Sequence, residues 1–198
     1  MDQILVDLAT DDPVAEVLIE RRKAIELEVA EREIEACGDL VDFLWMGEDL
    51  STQRGPMISL ELYRRSIRPH HEQYIRLARA YDLPVLFHSC GSCSWLFDDF
   101  IDMGIDVVQT LQPEARDMSP GYLKENYGDR LAFHGCIPTG GVMADGSPDE
   151  VADVCRQTLD TMMPDGGYCF APSHQLQDNT PTENVVAMYE AAAQFGVY

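Results

Sequence analysis

"LPVLFHSCGSC", residues 83–93, is an apolar run of strand length that ends in a histidine and two cysteines. Its hydrophobic residues are continuous rather than alternating, the pattern of a strand buried on both faces of a parallel sheet. His88, Cys90 and Cys93 stand where that strand meets its loop. Two explanations compete for them: they hold a metal, or they are packing residues that lie close together.

Working outward, the same alternation repeats. "LVDFLWMG" (40–47) precedes as a compact apolar strand, and "IDVVQTL" (105–111), "LAFHGCI" (131–137) and "YCFAPS" (168–173) follow as further strands. Helices separate them. The segment 12–37 is rich in Ala, Leu, Glu and Arg, with Val14, Val17, Leu18, Ile25, Leu27 and Val29 at roughly helical spacing. A second helix spans 59–82, with Ser59 as N-cap and Pro69 expected to kink or divide it. A third, 95–104, is closed by Gly104, and a short one lies within 119–129. The segment 147–167 opens on a Ser cap and an acidic first turn, and 180–196 on Thr180 or Thr182. The chain reads as one α/β domain over 1–198 with a parallel sheet.

An open doubly wound sheet and part of a (β/α)8 barrel both fit such a pattern. No G-x-G-x-x-G or P-loop follows any strand, which weakens the nucleotide-binding sheet. Polar and ligating residues gather instead after successive strands: Glu48 and Asp49, His88 and Cys90, Gln112, Cys136, His174. Strand C-termini of a parallel barrel share one mouth, so these residues would converge there. A partial TIM barrel of about five βα units is the expected fold.

Composition narrows the function. The 35 acidic and 14 basic residues give a net charge of −21, which argues against nucleic acid and anionic membranes as partners. The first residues lack a signal peptide's basic start and long apolar core, and no apolar stretch is long enough to span a membrane. A cytoplasmic location is expected, where the six cysteines would be reduced and clustered thiols serve metals or catalysis.

Asp49, an acid at the barrel mouth, is a candidate catalytic or histidine-orienting residue, with Glu48 behind it. Gln112 is a candidate substrate contact. Cys136 is expected to pack beneath the mouth, with substrate lining as its alternative role. Cys93 is a candidate extra ligand, and His134, inside a strand, is expected to be a satisfied core histidine. Cys37 and Cys155 read as small core hydrophobes. His70 and His71, beside the helix kink, are expected to be exposed or capping. Trp95, Phe97 and Phe100 repeat at helical spacing and belong to the core.

"GEDLSTQRGPMISLELYRRSIRPHHEQYI", "PVLFHSCGS", "LAFHGCIPT" and "APSHQLQDNTPTENVVAMYEAA" together resemble the C-terminal portion of the uroporphyrinogen decarboxylase superfamily. They are most similar to its methylcobamide:coenzyme M methyltransferase-like branch. The resemblance runs from about residue 38 onward and implies a (β/α)8 barrel whose first strands lie outside this chain, with 12–37 as a leading helix. Open sheet edges of that kind favour aggregation or pairing with another chain, which leaves a truncated reading frame, a fragment, and a piece completed by a homo-oligomer or a further subunit as alternatives.

The resemblance also implies a metal set. His88 and Cys90 match the branch's His-x-Cys pair, and His174 stands where methyltransferases usually carry Cys and decarboxylases carry His. Cys169 is the softer alternative, but it lies early in its strand, roughly 15 Å below the mouth at about 3.3 Å per residue. The implied activity is zinc-dependent activation of a small thiol for methyl transfer from a methyl-corrinoid protein, with Zn2+ as cofactor. The alternatives are metal-free decarboxylation of a tetrapyrrole acetate side chain, and a non-catalytic half-barrel that only binds.

Overall fold

The computed structural model describes residues 2–197. Two helices lead, α1 (Asp2–Ala9) and α2 (Pro13–Cys37), the first of which the sequence pattern did not announce. Asp12 caps α2 by accepting from the Val14 N–H, and Pro13 takes the first turn, where no N–H is needed. The apolar residues that signalled α2 mostly face outward. Ala15 and Ile34 are buried, whereas Val14, Val17, Leu18, Ile25 and Val29 are exposed, and so is Cys37, contrary to the core position expected of it.

Five βα units follow. The strands are β1 (Leu44–Gly47), β4 (Val85–His88), β5 (Val107–Gln109), β6 (Ala132–Ile137) and β7 (Tyr168–Pro172). They form one sheet in the order β1-β4-β5-β6-β7, and every neighbouring pair is parallel. Sequential order with parallel pairing is the topology of a barrel arc rather than of a doubly wound sheet, whose strand order reverses. The fold is thus a partial (β/α)8 barrel. Between β1 and β4 lie a small unforeseen hairpin, β2 (Ser51–Thr52) with β3 (Gly55–Pro56), and the helices α3 (Leu60–Ser66) and α4 (Arg68–Ala80). The division falls at Ile67, just before Pro69. The Ser59 hydroxyl caps α3 by accepting from the Leu62 N–H.

The remaining helices are α5 (Phe97–Met103), α6 (Pro120–Tyr127), α7 (Val142–Asp145), α8 (Pro148–Met162) and α9 (Thr182–Phe195). Gly104 ends α5 in the left-handed region at φ 89°, and Ser147 with Glu150 makes a reciprocal capping box on α8. The N-cap position of α9 is Pro181, without a side-chain cap, so neither Thr180 nor Thr182 takes that place. Asn184 instead anchors α9, its amide donating to the carbonyls of Met143 and Gly146 at 3.1 and 2.8 Å.

Register sorts the strand residues into rows. Met46, Phe87, Val108, Phe133 and Tyr168 pair side by side and are all buried. Each such side chain taken from water stabilises by about 1.5–3 kcal/mol. Phe97 and Phe100 join this core as expected, with Trp95 partly buried. Asp99, 1 % exposed, is clamped by Arg64 at 2.9 Å and by a short contact to Arg68, tying α3 and α4 to α5. The next row, one residue along, is Gly47, His88, Gln109, His134 and Cys169, and none of these is buried. Among the described residues, no helix is long and apolar enough to cross a membrane.

Candidate metal centre

His88 is the last residue of β4 and points to the inner, open face of the arc. Its neighbour on β1 is Gly47, where a Cβ would stand 2.7 Å from the His88 Cβ, so glycine is what lets the two strands pair beside the imidazole. The chain then turns through Ser89, Cys90 and Gly91. Gly91 has φ 77°, and a Cβ there would lie 2.7 Å from the Thr52 carbonyl oxygen. That same carbonyl accepts from the Ser92 N–H at 2.9 Å, which explains the hairpin: it is the wall against which the loop is built.

Two side chains from adjacent strand ends hold the loop. Asp49, after β1, accepts from the Cys90 N–H at 2.7 Å. Gln112, after β5, accepts from the Gly91 N–H at 2.7 Å and from the Gln53 amide at 2.8 Å. Both side chains thus hold the backbone that carries Cys90.

The result is a cluster. His88, Cys90 and His174 bring one donor atom each within 4.8 Å of one another; His88 and Cys90 are half-buried and His174 is exposed. Cys90 Sγ lies 3.6 Å from His88 Nε2, and the two imidazole rings are 6.2 Å apart. His174 gets there because the Ser173 N–H bonds to the Ile137 carbonyl at 2.6 Å, extending the β6–β7 ladder up to the mouth. Cys169 is not in the cluster: it stands in the strand row of His88 three strands across, and His174 lies five residues further along the chain from it, past the end of the same strand.

Burial, helped by the Asp49 charge, pushes the Cys90 thiol up to about 11, so without a cation it keeps its proton at neutral pH. Two imidazoles and a thiol, with no carboxylate among them, suit a borderline metal such as zinc, and three protein donors leave a coordination position open.

Three of the other thiols are buried. Cys93 is wholly buried, its Sγ 3.5 Å from the Ser89 carbonyl oxygen, and burial pushes it up to about 12. Cys136 is 1 % exposed within the core, at φ 69°, and burial likewise pushes it up to about 12. Cys155 is buried on α8.

Two histidines depart from expectation. His71 is not exposed but 1 % accessible, its Nδ1 3.1 Å from the Tyr63 hydroxyl and its Nε2 3.5 Å from Glu48. Burial lowers its pKa in spite of Glu48, which keeps the ring neutral. His134 is not satisfied, since its buried Nδ1 has no hydrogen-bond partner. Gln109 and Trp45 were missed altogether: both border His88, and nothing in a strand's apolar pattern marks them. A cavity of about 600 Å3 lies beyond β1 against α1, α2 and α4, but none of the three clustered residues lines it. The cluster sits on the open inner face.

Comparison with known proteins agrees with this architecture. Three uroporphyrinogen decarboxylases from Coxiella burnetii strains (Dugway 5J108-111, RSA 331 / Henzerling II and RSA 493 / Nine Mile phase I) are each 23 % identical to it over 147 residues. Each match spans 72 % of this chain but 39 % of the relative. Among solved structures, a methyltransferase from Methanosarcina mazei superposes with a TM-score of 0.75 at 17 % identity, over 99 % of this chain and 54 % of its own. The chain thus spans well under two thirds of the proteins it matches. The family model described as uroporphyrinogen decarboxylase (URO-D) matches residues 4–195, and the chain belongs to that family.

Proposed function

We propose that this chain carries the zinc centre of a methyltransferase-type enzyme that activates a small thiol for methyl transfer from a methyl-corrinoid protein. The observation that carries the reading is the convergence of His88, Cys90 and His174 donor atoms within 4.8 Å on the open face of the arc. Bound zinc would supply a Lewis acid that stabilises a substrate thiol as thiolate. The chain's own residues do the rest. His88, Cys90 and His174 would hold the ion. Asp49 and Gln112 keep the Cys90 loop in place through two backbone N–H groups. The inner row beside them is not buried, so a substrate could reach the group they would hold.

His174 in place of a second thiolate makes the donor set less electron-rich, which argues against the same substrate as that of a two-cysteine centre. Because the chain spans 54 % of its structural neighbour, turnover also depends on what closes the inner face: a further segment, a second copy or a completing subunit. A second reading is favoured by the named decarboxylase relatives. On it, the inner face decarboxylates a tetrapyrrole acetate side chain without a metal, and the His-x-Cys pair has no task.

Zinc content decides between them. About one zinc per chain is expected in the purified protein, lost in His88→Ala, Cys90→Ala and His174→Ala and kept in Cys169→Ala. Because Cys90 must give up its proton, zinc affinity should fall roughly tenfold per unit as pH drops from 8 to 6. Zinc-free protein after reconstitution sinks the methyltransferase reading.

A further inference from the structure

Three side chains on the inner face form a relay that starts from a group with no choice of role. The Trp45 indole N–H can only donate. It lies 2.9 Å from Gln109 Oε1, so the Gln109 amide is held with its oxygen toward Trp45. That same oxygen lies 3.2 Å from His88 Nδ1. An amide oxygen can only accept, so Nδ1 must be the nitrogen that carries hydrogen. The lone pair of the neutral ring is then left on Nε2, the atom 3.6 Å from Cys90 Sγ.

Register builds the relay. His88 and Gln109 are Cα partners on β4 and β5, and Trp45 reaches them from the edge strand, its ring centroid 5.6 Å from that of His88. Trp45 is 57 % exposed, so core packing does not account for its position over the imidazole.

We propose that Gln109, held by Trp45, is the positioning residue of the metal centre, fixing His88 as its Nδ1–H tautomer so that Nε2 faces the ion. The proposal rests on the metal reading for its purpose. The tautomer itself is a property of the metal-free protein, so the two can fail separately. An outer hydrogen-bond acceptor on a ligating histidine typically contributes 10- to 100-fold in metal affinity.

The test uses the 198-residue chain with 15N-labelled histidine, in wild type, Gln109→Leu, Gln109→Glu and Trp45→Phe. Two-bond 1H–15N spectra of metal-free protein should show His88 protonated on Nδ1 in wild type and in Gln109→Glu, which keeps an acceptor. Gln109→Leu should move it toward the Nε2–H form. Trp45→Phe, which frees the amide to turn, should do so in part. Zinc affinity, measured by competition with a chromophoric chelator, should fall roughly 10- to 100-fold in Gln109→Leu and stay within a few-fold of wild type in Gln109→Glu.

Persistence of the Nδ1–H form in Gln109→Leu overturns the proposal, as does an equal loss of affinity in both Gln109 variants. If Gln109→Leu does not fold, an unchanged tautomer in Trp45→Phe overturns it instead. A wild type that shows the Nδ1–H form but binds no zinc sinks the methyltransferase reading and leaves the relay standing.

Discussion

The two faces of one sheet have opposite fates in this molecule. Phe87 and His88 are covalent neighbours, as are Val108 and Gln109, and Phe133 and His134. The apolar member of each pair lies under the helices and is at most 1 % exposed; its polar neighbour faces the open side of the arc and is not buried. Strand geometry alone sends them apart, because successive side chains leave a strand on opposite sides. The outer face therefore carries the stability, and the inner face is free to carry chemistry that packing would not tolerate. His134, with an unpartnered Nδ1, and Trp45, largely in solvent, are residues a core would have rejected.

Substitutions on the two faces should separate accordingly. Phe133→Ala should cost about 3–5 kcal/mol in urea unfolding, the price of a large side chain removed from a packed row. A loss below about 1 kcal/mol would mean that the outer row is not the core.

Asp99→Asn should cost about 1–3 kcal/mol, since it removes charged hydrogen bonds whose guanidinium partners still reach water. It should also change the pH dependence. Burial alone would push the Asp99 carboxyl up, but Arg64 and Arg68 outweigh it and hold the group below the ordinary carboxylate range. A depressed folded-state pKa gives stability that is present above the unfolded value of about 4 and lost as pH falls below it. Wild type should therefore lose stability more steeply than Asp99→Asn between about pH 4 and 2 in acid-unfolding curves. Parallel curves would refute that linkage.

Asp49→Ala should cost about 1 kcal/mol by freeing the Cys90 N–H and, more tellingly, should loosen zinc binding in chelator competition. Unchanged affinity would show that the loop holds its shape without Asp49. Cys169→Ser, on the inner row and exposed, should shift the unfolding free energy by less than about 0.5 kcal/mol and leave zinc content intact. A clear loss in either measurement would place Cys169 inside the function and break the contrast between the faces.

Much of the fold was legible because its signals are local. Continuous apolar runs gave the strands, Ser59 and Ser147 the helix starts, and Pro69 the division between α3 and α4. His88 and Cys90 could be paired from their spacing at a strand end, and His174 was reached through a resemblance rather than through pattern. The misses share a cause. Most of the apolar residues that marked α2, and its Cys37, point outward, because helical periodicity names a face without saying what lies opposite it. His71 is buried because Tyr63 and Glu48, from other elements, enclose it. The hairpin at Ser51–Pro56 is too short to announce itself, yet it supplies the carbonyl that shapes the Cys90 loop.

What the sequence determined by itself is the alternation of parallel strands and helices, and which residues stand at the strand ends. Both follow from interactions among residues near one another in the chain. What only the tertiary structure decided is lateral. Register set by packing the outer row under the helices puts Gln109 beside His88 and sends Cys169 three strands away. It also carries His174 back to a loop encoded far earlier in the chain. Side-by-side distance in a sheet depends on which strands pair and in what register, and no local pattern of residues contains it.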